Sequence, residues 1–114
     1  MGQFSFILWL AYWYSQSESF EFEWDAGNSD KSEKKHGVAI EDVESLFELQ
    51  MGVPLGRQVS PATEEERLCI VGPVSSGKMV SVVFTLREGK VRPISSRLAS
   101  RKERKLYEEV RKIT

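Results

Sequence analysis

Residues 79–111 read MVSVVFTLREGKVRPISSRLASRKERKLYEEVR and constrain the fold more than any other stretch of the chain. Met79 to Leu86 is apolar on both faces, as a strand inside a sheet is. Glu88-Gly89 turns the chain and Val91 to Arg97 returns it. Pro93 puts this returning strand at an edge or a distortion, because proline cannot donate to a strand ladder. Ser100-Arg101-Lys102-Glu103 then has the spacing of a capping box, serine followed three residues later by glutamate. A helix therefore starts there and runs to about Ile113, with Leu106, Val110 and Ile113 at i, i+4, i+7 as its expected buried face.

Upstream, Phe20, Phe22 and Trp24 alternate with Glu21, Glu23 and Asp25, which predicts a half-buried strand. Lys34-Lys35-His36 before Gly37 has the composition of a helix end. A second helix is expected from Ile40 to Leu49, with Ile40, Val43 and Phe47 on one face and Glu41 and Asp42 at its N-terminus. Met51 to Thr63, with two Gly and two Pro, reads as a loop that has room for a short strand. Arg67 to Gly72 is a strand, and Pro73 to Lys78 is a turn. The predicted order is strand, two helices, three strands and a C-terminal basic helix. That is an α+β domain: a small antiparallel sheet with two helices before it.

Phe4 to Tyr14, FSFILWLAYWY, is apolar over about eleven residues, and a membrane-spanning helix needs roughly twenty. It lacks the basic region and cleavage site of a secretory signal. It can pack on the core, bind a partner, or reflect a start assigned too early; the last is the expectation, with residues 1–19 as an extension and 20–114 as the domain.

Charge separates along the chain. Residues 1–63 carry a net −6 and residues 64–114 a net +5, and Arg87 to Lys112 holds ten basic and four acidic side chains. Such segregation steers polyanions to one end or simply marks two differently solvated faces. One cysteine, Cys69, lies in the apolar run Leu68-Cys69-Ile70-Val71 and reads as a buried small hydrophobe. With one His and one Cys no zinc cluster is expected, nor any other metal or cofactor. Ser75-Ser76-Gly77-Lys78 lacks the first glycine and the final Ser/Thr of a P-loop.

What remains is arginine, lysine and one histidine, which suffices for RNA cleavage without metal. A base takes the ribose 2′-OH proton, cations neutralise the phosphorane, and an acid protonates the departing 5′ oxygen. Arg67, Arg97 and Arg101 converge if their elements are neighbours, and His36 titrates near neutral pH. The expected catalytic set is His36, Arg67, Arg97 and Lys35, and the RNA-binding set is Arg101, Arg104, Lys105 and Lys34. Structural roles compete with these. His36 suits a helix C-terminus, Arg104 and Lys105 can pair with Glu108 and Glu109, and Trp24 and Tyr107 suit packing. Arg97 differs, because it follows a mostly buried strand where an unpartnered charge is costly.

In order, Phe22-Glu23-Trp24-Asp25, Lys34-Lys35-His36-Gly37-Val38, Glu65-Glu66-Arg67, Val82-Val83-Phe84-Thr85 and Arg92-Pro93-Ile94-Ser95-Ser96-Arg97 resemble the BrnT family of bacterial type II toxins, as do Arg101-Lys102-Glu103-Arg104 and Tyr107-Glu108-Glu109. The resemblance spans roughly residues 20–110. It implies a fold similar to RelE-type ribonucleases, endoribonuclease activity that arrests translation in the cytoplasm, and an antitoxin partner with a ribbon-helix-helix domain through which the pair represses its own operon. This chain departs from the family at Asn28, where a Lys is usual, at Ser32, where Asn is usual, and in Val59 to Thr63, which has neither the Asp nor the His common there. Two functions are therefore implied: an active ribonuclease toxin, or a degenerate homologue that binds the antitoxin without cleaving RNA.

Overall fold

The computed structural model describes residues 10–25, 37–59 and 66–113. Within them the order is a helix at residues 10–16 (α1), α2 (Ile40–Glu48), β1 (Val53–Val59), β2 (Glu66–Pro73), β3 (Met79–Arg87), β4 (Lys90–Leu98) and α3 (Arg101–Ile113). The four strands form one antiparallel sheet in the order β1-β2-β3-β4, so each strand pairs with its chain neighbour. The α+β class follows as expected, and α2 differs from its predicted span by one residue at its end.

The β3–β4 hairpin turns at Glu88 and Gly89, with φ of 53° and 80°. Two successive positive φ values give the primed turn whose twist matches paired strands. Pro93 sits beside an irregularity in register between Val83 and Phe84, the distortion that proline required. β1 is a full edge strand where a loop with a short strand was expected. Its Pro54 is tolerated because an edge strand has one unpaired side.

The half-buried strand predicted around Phe22 is reduced to a single parallel bridge, Phe22 to Val91, at the outer side of β4. Its alternation is real: Phe20, Phe22 and Trp24 pack against the core. That core lies between one sheet face, formed by Leu68, Ile70, Val80, Val82, Phe84 and Val91, and the helices α1 and α2. Phe47 is its hub. Rings of Phe84, Phe20 and Phe22 stand 5.0, 5.6 and 5.6 Å from it, all edge-on, the arrangement aromatic quadrupoles favour.

Of the three roles open to the N-terminal segment, packing on the core describes residues 10–16. Leu10 is fully buried and Tyr14 is 3% exposed. The Tyr14 hydroxyl donates to the Leu46 carbonyl and accepts from the Gly52 amide at 2.9 Å. Gln50 Nε2 donates to the carbonyls of Tyr14 and Ser17, both at 2.7 Å, satisfying groups at the end of α1. Gly52 and Gly72 let β1 and β2 approach closely beneath α2. A Cβ on Gly72 would lie 2.6 Å from the Gly52 Cα and 2.9 Å from Leu46 Cδ1.

The opposite sheet face is covered in part by α3, through Tyr107 and Val110 against Val53 and Val71. The buried face of α3 thus differs from the expected one. Tyr107 is buried while Leu106 is 39% exposed, and Glu103, one turn before Tyr107 on the same helix face, is bonded to Ser81 of the sheet. The Tyr107 hydroxyl donates to the Met51 carbonyl at 3.0 Å, so its polar end is satisfied.

Candidate functional site

Strand residues alternate between faces, and register shows what the face opposite the aromatic core presents. Cys69, Val83 and Ser95 form one row across β2, β3 and β4, and Val71, Ser81 and Arg97 form the next. Thr85 and Arg92 pair one row the other way, on the level of Arg67. Arg67, Arg92 and Arg97 therefore share this face with Ser81, Ser95 and Thr85. Arg67 and Arg97 sit at opposite ends of it, separated by about 16 Å at their Cα atoms from ordinary strand spacings, so only their long side chains can approach a common ligand.

The Nε of Arg67 is buried and has no hydrogen-bond partner. A buried donor in this state is costly. Arg92 is the residue that sequence reasoning left out. It lies at the same level but is engaged by acids of the bridged segment, 3.3 Å from Glu23 and 2.8 Å from Asp25. Its signal was present in the alternating carboxylates of residues 21–25.

Arg97 is exposed at the end of β4 and has a structural partner in Glu103. Its Nη1 and Nη2 donate to Glu103 Oε1 and Oε2 at 2.7 and 2.9 Å, a two-pronged pairing. The same carboxylate accepts the Ser100 amide at 2.9 Å and the Ser81 hydroxyl at 3.3 Å, and the Ser100 hydroxyl accepts the Glu103 amide at 3.1 Å. The capping box is thus complete. Hydrogen bonding to Glu103 pushes the Arg97 guanidinium further up. Burial pushes the Glu103 carboxyl up, but hydrogen bonds from Arg97 and Ser100 outweigh it and hold the group below its ordinary range. Cys69, beside Ser81, is partly buried, and burial pushes its thiol up.

Arg101, Arg104 and Lys105 are exposed on α3 and line a shallow depression with Glu108. The pairs Arg104–Glu108 and Lys105–Glu109 do not form, which leaves these cations to solvent or to a ligand. Arg104 also borders a cleft lined by Gly77, Lys78, Met79, Leu98 and Ala99. Lys78 Nζ donates to the Gly37 carbonyl at 3.2 Å, so the chain just after His36 is tied to the turn between β2 and β3. Lys34, Lys35 and His36 themselves lie outside the described residues, as do Asn28, Ser32 and most of the loop before Arg67. Trp24 is a packing residue, its indole donating to Glu44 Oε2 at 2.9 Å.

Residues 24–103 match the ribonuclease toxin, BrnT, of type II toxin-antitoxin systems. The chain belongs to the BrnT family. The match contains Arg67, Arg92, Arg97, Arg101 and the capping pair Ser100 and Glu103, together with Lys34, Lys35 and His36, and ends before Arg104 and Lys105. The helix at residues 10–16, although part of the core, lies outside the BrnT match. A search of curated proteins gives no match. Among the described residues no cluster of three metal-ligating side chains occurs, and no helix is long and apolar enough to cross a membrane.

Proposed function

We propose that this BrnT-family chain is a metal-independent endoribonuclease that cleaves cytoplasmic RNA and arrests translation, held in check by a ribbon-helix-helix antitoxin. The observation that carries the reading is the sheet face on which Arg67 keeps a buried, unpartnered donor while Arg97 is rigidly held. Guanidinium groups suit a phosphorane because each offers paired donors in a fixed plane. In the proposed reaction a base removes the 2′-OH proton and the 2′ oxygen attacks the adjacent phosphorus. The 5′-oxygen bond breaks, and an acid returns a proton to that oxygen, leaving a cyclic phosphate. Arg67 and Arg97 neutralise the phosphorane, and Lys35 adds a further cation to the catalytic set. His36 supplies the acid or the base. Lys34, Arg101, Arg104 and Lys105 hold flanking phosphates, and those contacts weaken as salt rises.

Purified protein incubated with RNA and EDTA should cleave it, and Arg67→Ala and Arg97→Ala should each slow cleavage about a hundredfold or more. Intact RNA in the presence of folded protein refutes the activity. The second reading, a degenerate homologue that binds an antitoxin and supports repression, rests on the loop Val59 to Thr63, which has neither Asp nor His. Stable co-purification with an antitoxin, combined with no growth defect on expression alone, would select it.

A further inference from the structure

An arginine has five N–H donors, and which of them Arg97 has used can be counted. Nη1, the terminal nitrogen on the Cδ side, donates to Glu103 Oε1 and, at 3.2 Å, to the Leu98 carbonyl. Nη2 gives one donor to Glu103 Oε2. Three donors are thereby consumed. The two that remain, Nε–H and the second N–H of Nη2, lie parallel on one edge of the guanidinium. They form a side-on fork of the kind that receives two oxygens of a phosphate. The Arg97 side chain is 45% exposed, and neither donor of this edge has a hydrogen-bond partner among the described residues.

The carboxylate that grips the other edge is itself anchored by further hydrogen bonds. Glu103 sits in the first turn of α3, its side chain 15% exposed. It is fixed by the Ser100 amide on one oxygen and by the Ser81 hydroxyl on the other. Ser81 is 2% exposed and faces Arg97 across the β3–β4 pair. A free arginine samples many rotamers and loses that entropy when it binds. Here the guanidinium plane is set before any ligand arrives.

We propose that Glu103 is a positioning residue: it consumes the end-on edge of Arg97 so that the side-on fork is presented, preoriented, to a phosphate group. This rests on the proposed reading of Arg97 as a phosphate-binding group. It adds that the helix cap and the phosphate site are one device. The carboxylate that starts α3 also aims the arginine at the end of β4.

Glu103→Gln tests it, because glutamine also completes a capping box, so the helix start is retained while the two-pronged grip on the guanidinium is lost. Cleavage rates should be measured for the wild type, Glu103→Gln, Arg97→Ala and the double variant, alongside their melting temperatures. The expected result is a loss of about tenfold to a hundredfold in Glu103→Gln, with kcat falling more than KM rises, and no further loss when Glu103→Gln is added to Arg97→Ala. An undiminished rate in Glu103→Gln, or an equal loss in the Arg97→Ala background, overturns the proposal. A second readout does not need cleavage. The Arg97 Nε–H resonance, assigned by its disappearance in Arg97→Lys, should shift on titration with inorganic phosphate, and should shift at higher phosphate concentration in Glu103→Gln. Identical titrations in the two proteins would refute positioning even if RNA is cleaved. A wild type that shifts but does not cleave would refute the ribonuclease reading alone.

Discussion

Tyr14→Phe isolates what residues 10–16 contribute, because it removes one oxygen and no packing volume. That hydroxyl serves two backbone groups far away in sequence, the Leu46 carbonyl and the Gly52 amide. A buried group stripped of its partner costs about 1–3 kcal/mol. The Leu46 carbonyl lies under α1 and bears that cost. The Gly52 amide borders a groove lined by Tyr14, Gln50 and Gly52, where water can replace the hydroxyl, so its share is discounted. The sum is about 2 kcal/mol, and at roughly 4–8 °C per kcal/mol for a domain of this size the melting temperature should fall by about 10 °C. Titration gives the same contact a second signature. Burial, ahead of every other influence, pushes the Tyr14 phenol up to about 12 from 10.0. The folded state holds its proton through a range where the unfolded chain has lost it. The contribution is therefore fully present below about pH 10 and disappears as pH rises toward 12. Denaturant titrations at pH 8, 10 and 11 should show wild-type stability declining more steeply than that of Tyr14→Phe. A variant as stable as wild type at pH 8, with a parallel decline at higher pH, would refute the claim that α1 is part of the core.

Deleting residues 1–18 should lower the melting temperature far more than Tyr14→Phe does, since Leu10 is lost too; an unchanged calorimetric transition would contradict it. Gly72→Ala should destabilise by about 1–3 kcal/mol, read from urea midpoints, because the added methyl meets the Gly52 backbone. Glu88→Asn should gain a few tenths of a kcal/mol by relieving the positive φ at the hairpin turn, checked by the same titrations. Cys69 should react with iodoacetamide at pH 7.5 much more slowly than a free thiol, since burial holds its thiol up; mass spectrometry of the alkylation time course measures this.

The β3–β4 hairpin and α3 were legible because their signals are local: a glycine turn, a two-sided apolar run and a serine three residues before a glutamate. β1 was obscured because Pro54 and Gly56 are strand breakers in general and acceptable here only on an edge. The buried face of α3 was misread because leucine outweighs tyrosine on hydropathy, whereas Tyr107 shares a helix face with Glu103, which is bonded to Ser81 of the sheet. Arg97 was weighted toward function because an unpartnered charge after a buried strand is costly, whereas its side chain is 45% exposed and has a structural partner in Glu103. That partner was hidden because Glu103 already had a role as a cap, although one carboxylate has lone pairs enough for an amide, a hydroxyl and a guanidinium together. Arg92 was part of the family motif but not of the site set, because its acids lie far away in sequence, at Glu23 and Asp25.

The order β1-β2-β3-β4 has a kinetic consequence. Every strand pairs with its chain neighbour, so the sheet closes only short loops as it assembles. The Tyr14 bond to Gly52 and the Phe22 bridge to Val91 instead close long ones, and long closures carry more entropy and are reached later. The meander is thus the expected nucleus, with the N-terminal segment docking onto a sheet already formed. Leu10→Ala should accordingly accelerate unfolding in stopped-flow chevrons and leave the refolding rate nearly unchanged. The same order predicts that residues 10–25 release first, a latch whose opening precedes the loss of the sheet that carries Arg67 and Arg97.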